Sequence, residues 1–154
     1  MKESPQIQKL ETILRSSKLV AGGFMGTDTR SSSEIIEADA TQISRLGFTT
    51  KQITAKMQEI TDIAKAALGN WVDLDDKNRA RVDEAKGIIV CPWPHPGRFA
   101  KRVTVVNLIE SNETIHWSDL NIHLIAEHGF FEGKGSTFRI EPDILAKIIF
   151  QIKL

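Results

Sequence analysis

The chain has 154 residues, of which 41% are hydrophobic and 26% charged. These values sit near globular averages and exclude disorder, collagen-like repeats and coiled-coil rods as its main description. Twenty basic residues balance twenty acidic ones, so no net field steers the chain toward nucleic acid or an anionic membrane. A single cysteine, Cys91, excludes an intramolecular disulfide and points to a reducing, cytoplasmic address.

The first residues, Met1 to Ser17, mix Glu3, Lys9, Glu11 and Arg15 with their apolar members, unlike an export signal. Apolar runs such as Gly87 to Cys91 fall far short of the roughly 18 residues that cross a membrane. Ser4 and Pro5 ahead of Ile7, Leu10, Ile13 and Leu14 predict a short amphipathic helix with a cap and a proline at its start. Gly22, Gly23 and Gly26 with Thr27, Asp28 and Thr29 predict a loop over 21–30. Ser31 with Glu34 forms a capping-box pattern, and Ile36, Ala40 and Ile43 follow at helical spacing until Gly47.

Thr49 with Gln52 is a second capping box, with Phe48 placed to touch Ile53 as a hydrophobic staple. The seam Ile53, Met57, Ile60, Ala64 and Ala67 then runs to Gly69, a spacing suited to close helix packing. The stripes Ile36-Ala40-Ile43 and Ile53-Met57-Ile60 predict an antiparallel helical hairpin, or a seam for a second copy of the chain.

From Trp71 the texture changes. Ala80 and Val82 alternate with charged residues, Ile88 to Cys91 is apolar, and Val103 to Leu108 is rich in β-branched residues, which predicts strands. Ser111 and Asn112 between Val103–Ile109 and Thr114–Trp117 predict a β-hairpin. Helical spacing returns from Asp119 to Glu127 behind Ser118 and ahead of Gly129, and again after Pro142. The fold class is α+β: a helical hairpin region, a small and mainly antiparallel sheet with one packed helix, and a closing C-terminal helix. A single domain is expected, with a helical lobe over about 1–70, a mixed lobe over about 71–154, and a seam at Trp71 to Lys77.

Leu46-Gly47-Phe48-Thr49, with Ile53 six residues after the glycine, resembles the turn of a helix-turn-helix domain. That resemblance implies DNA contacts from Thr50, Lys51, Thr54 and Gln58. The position four before the glycine is Ile43 rather than a small residue, and the basic surface that phosphate contacts demand is missing. Nucleic-acid binding is therefore disfavoured.

Chemistry-bearing residues concentrate after residue 90. Cys91-Pro92-Trp93-Pro94-His95-Pro96-Gly97 sets three prolines at alternate positions, fixing φ and removing three backbone donors. The segment reads as an extended ledge displaying Trp93 and His95, or as a sheet-edge terminator with Trp93 on the core. Flanking Ile89, Val90 and Pro92 predict a buried Cys91 with no environment that would make it a nucleophile.

Cys91, His95, His123 and His128 are all zinc ligand types, in a Cys-x3-His and His-x4-His arrangement. Spacing argues against their meeting. In a polyproline helix Cys91 and His95 lie about 12 Å apart unless a tight turn or cis proline folds the ledge. On an ideal helix His123 and His128 diverge by about 140°.

His123 instead shares a face with Asp119 and Glu127. The expected ligand set is thus His95, His123, Glu127 and Asp119, with zinc as the candidate metal, set against a plain solvated face of ion pairs. His128, in the last turn, suits a helix C-terminus. The glycine-rich stretch Gly129 to Ser136 departs from a phosphate loop at the required glycine and after Lys134. What it offers is Lys134, with Arg139, to hold an anionic group. The leading reading is a metal or small polar ligand site with Trp93 as an apolar wall; the competing class is a non-catalytic interaction module.

Overall fold

A computed structural model describes residues 4–17 and 23–154; Ala21 and Gly22 of the predicted 21–30 loop lie outside them. Helix α1 (Pro5–Arg15) starts from Ser4, whose hydroxyl accepts the Ile7 amide proton. Helices α2 (Ser32–Arg45) and α3 (Thr50–Lys65) begin with complete capping boxes, Ser31 with Glu34 and Thr49 with Gln52. Each box satisfies two of the amides that a helix start leaves without partners.

Strands β1 (Val72–Asp73), β2 (Asn78–Val90), β3 (Arg98–Leu108) and β4 (Glu113–Ser118) form one antiparallel sheet in sequence order. Helix α4 (Asp119–His128) follows β4 directly, capped by Ser118 and closed by Gly129 in the left-handed conformation. Helix α5 (Pro142–Gln151) has Pro142 in its first turn. The fold is α+β, with helices first, then the sheet, then the closing helix.

The main core joins Ile53, Met57 and Ile60 of α3 to Ala80 and Val82 of β2, Val106 of β3, Ile125 of α4 and Leu145 and Ile149 of α5. At its centre the buried Trp117 indole N–H donates to Thr61 Oγ1 at 2.9 Å, and Thr61 and Thr104 share a 2.6 Å hydroxyl contact. These bonds keep the polar atoms of three elements satisfied inside an apolar core.

The predicted pairing of α2 with α3 is replaced by another arrangement. Helix α2 packs chiefly on α5, while α3 packs on α4, α5 and β2. The buried face of α2 is Ser32, Ile35, Asp39 and Ile43, with Ala40 exposed. An ion pair causes the rotation: Asp39 meets the Arg139 guanidinium at 2.5 and 3.0 Å, with both side chains nearly sealed from solvent. Phe48 stacks on Phe150 at 4.2 Å, tying the α2–α3 turn to α5. Thr54, given an outward face by the helix-turn-helix resemblance, is buried.

Ile60 is fully buried and Gln58, two residues away on the opposite face of the helix, is exposed. Ile60→Ala is therefore expected to lose about 2–5 kcal/mol and Gln58→Ala no more than about 0.5 kcal/mol. Denaturant midpoints measure the contrast, and equal small losses would place the α3 seam on the surface.

A second apolar cluster joins Leu14, Phe24, Ile35, Cys91, Leu120, Leu124 and Phe130. Beside it two loops cross backbone to backbone. The Gly133 amide donates to Phe24 O at 2.8 Å, and the Thr27 amide to Lys134 O at 3.0 Å. A Cβ on Gly133 would fall 2.4 Å from Met25 O, and one on Gly26 2.3 Å from the Gly135 and Ser136 backbone. Glycine is required at both crossings for closeness, and at Gly26, with φ +57°, for turning as well. The glycine-rich stretch thus packs against the protein's own chain: Lys134 gives its amide to Asp28 Oδ2, and Arg139 is held by Asp39 and Glu141.

Candidate metal centre

The proline-rich segment is the loop of the β2–β3 hairpin. Val90 pairs with Arg98, so antiparallel pairing forces the chain to reverse within Cys91–Gly97. The Cys91 amide donates to Gly97 O at 3.3 Å, and the His95 amide to Trp93 O at 2.8 Å in a tight turn. All described peptide bonds are trans. The ledge is folded, and the reversal returns His95 toward Cys91.

Helix α4 supplies the other half. His123 lies on its exposed-facing side and His128 is its last residue, where the Trp93 ring stacks flat on the imidazole at 4.1 Å and 7°. Trp93 in turn meets Phe130 edge-on at 5.5 Å. Trp93 is thus sandwiched between His128 and Phe130.

Four donor atoms converge here, from Cys91, His95, His123 and His128, all within 4.8 Å of one another. His95 Nε2 lies 3.1 Å from His128 Nε2 and 3.2 Å from His123 Nε2, and His128 Nε2 lies 3.5 Å from Cys91 Sγ. His95 Nδ1 is 2.9 Å from Pro96 O. A carbonyl only accepts, so Nδ1 carries the proton and Nε2 of the neutral ring is a bare lone pair. That one lone pair faces two imidazole nitrogens. Hydrogen bonds among neutral rings cannot serve all three contacts, whereas a cation between them would.

No family model matches the chain, and no curated protein or solved structure matches it.

Burial pushes the Cys91 thiol up and the His123 imidazole down, with nearby His95 adding to the second shift. His128 is lowered to about 4 by burial and by the charges that His123 and His95 would carry. Both shifts favour the neutral imidazole at His123 and His128, the form that binds metal.

The stripe Asp119-His123-Glu127 divides. Asp119 bonds Arg102 at 2.7 Å, Glu127 is exposed, and the group that could hold a metal contains neither. His116 donates to Thr137 O at 3.3 Å and meets Phe138 edge-on, away from the cluster. The residues that spacing rules set aside, Cys91 and His128, complete the group.

Cys91 is 6% exposed, so native protein is expected to react slowly with an alkylating probe and to label fully only once unfolded. Rapid stoichiometric labelling near neutral pH would show an open, activated thiol.

Proposed function

We propose that the protein binds one zinc ion through Cys91 Sγ and the Nε2 atoms of His95, His123 and His128. The convergence of these four donors carries the reading. Tetrahedral zinc with ordinary bond lengths holds nitrogen ligands about 3.3 Å apart, and nitrogen and sulfur about 3.6 Å apart. Three of the six spacings, 3.1, 3.2 and 3.5 Å, are close to that geometry, and all six lie within 4.8 Å. Four protein ligands leave no position for substrate, so the metal is structural, clamping the β2–β3 loop to the end of α4. The Pro96 carbonyl on His95 and the Trp93 ring on His128 are the outer contacts that orient such ligands. A lone thiolate ligand fits a reducing, cytoplasmic compartment.

Elemental analysis of untagged protein tests this. About one equivalent of zinc is expected, falling sharply in Cys91→Ser and His123→Ala. Cobalt substitution should give tetrahedral visible bands with a thiolate charge-transfer band that Cys91→Ser removes. Metal content far below one equivalent after zinc loading and washing would overturn the proposal.

A further inference from the structure

Strand β4 pairs with β3 only as far as Ser118 opposite Val103. Beyond that point residues 98–102 of β3 pair with β2, and beside them lies a cavity of about 360 Å³, within the range of small-molecule sites. Phe24, Ile89, Leu120 and Phe138 give it apolar walls, while Glu132 and Ser136 contribute a polar one.

Three further observations single this cavity out. The β2–β3 register shifts between Ala85 and Ile88, with Gly87 at φ +101°; bulges of this kind gather beside functional sites because they re-aim side chains. Glu132 on the inner wall holds a left-handed φ of 67°, a strained conformation that the surrounding structure must enforce. The two cations at the wall also differ. Arg102 is committed to Glu84 and Asp119, both at 2.7 Å. Lys101 is exposed, its ammonium near Gly87 at the bulge, and it has no ion pair among the described residues.

An apolar chamber with one uncommitted cation at its rim suits a molecule that is apolar along its body and anionic at one end. Glu132 does not compete for a cationic ligand, since Asn121 and Ser136 each donate to one of its oxygens at 2.5 Å. Burial pushes its carboxyl up to about 7, which reduces its repulsion of an anion.

We propose that this cavity binds a small amphiphilic carboxylate, its apolar body among Phe24, Ile89, Leu120 and Phe138 and its carboxylate at Lys101. The site is separate from the metal centre and does not depend on that reading.

Octanoate is the probe, titrated into the full chain by amide NMR beside octanol and octylamine. Saturable shifts centred on Ala85, Ile89, Ala100 and Leu120 are expected with octanoate, weaker ones with octanol and none with octylamine. Lys101→Gln should weaken octanoate roughly threefold or more while leaving octanol unchanged. Ala100→Phe, at an exposed position on the cavity wall, should abolish binding with the remaining spectrum intact. No saturable octanoate shift at millimolar concentration, no effect of Lys101→Gln, or preference for octylamine would each overturn the proposal.

Discussion

With zinc bound as proposed, chelation is expected to lower the unfolding midpoint of the protein by about 10 °C. Zinc present at roughly a thousand times its dissociation constant contributes about 4 kcal/mol to the folded state, and a chain of this size gains about 2–4 °C per kcal/mol. Without the ion, the β2–β3 loop and the end of α4 are joined by three close imidazoles and a buried thiol, a set that binds itself weakly. The variants Cys91→Ala and His128→Ala should unfold near the chelated wild type and gain little from added zinc. The measurement is a set of melting curves with and without zinc. Coincident wild-type curves would mean that no metal couples the loop to the helix.

The second large effect is expected far from the metal, at Arg139. Its side chain is 6% exposed and bridges Asp39, itself 5% exposed, to Glu141 and to the Glu132 carbonyl. Arg139→Leu strands the Asp39 carboxylate inside the protein, and breaking a buried pair from one side costs about 3–5 kcal/mol. Replacing both partners, Arg139→Leu with Asp39→Leu, should recover most of that loss, because an apolar pair of similar volume needs no charge compensation. A double-mutant cycle in denaturant isolates the coupling. If the single change costs under about 1 kcal/mol, water reaches Asp39 and the α2–α5 packing is looser than described.

Local rules made most of the fold legible. Ser4, Ser31, Thr49 and Ser118 cap the helices they were predicted to cap, and Gly129 and Pro142 mark the predicted end of α4 and start of α5. These signals act within four residues, so a sequence carries them intact. What escaped was set by distant partners. The burial of Asp39 depends on an arginine 100 positions away, so apolar periodicity placed the face of α2 on Ala40 instead.

The candidate metal centre shows the same division. A polyproline helix separates Cys91 from His95 when the segment is considered alone, but the pairing of Val90 with Arg98 closes the loop. The 140° angle between His123 and His128 describes directions at Cα. It does not describe where two long rings can meet beyond the helix end. A His-x4-His pair falls within the three-to-five-residue spacing of zinc-finger histidines. That spacing is the signal the sequence carries for this pair, and ideal-helix directions hide it.

The crossing of the two glycine loops governs where this chain tolerates cutting or lengthening. Glycine-rich loops are the customary places to open a chain, graft a tag or join new termini. Here the loops around Gly26 and Gly133 have no such freedom, since each fills the space a side chain of the other would need. A break at either would separate segments more than a hundred residues apart that hold each other through Thr27, Lys134 and Asp28. Gly47 and Gly69 differ: a Cβ at either meets nothing within 4 Å. The Gly47 turn is nonetheless tied to α5 through Phe48, so the Gly69 turn is expected to tolerate opening better than either crossing.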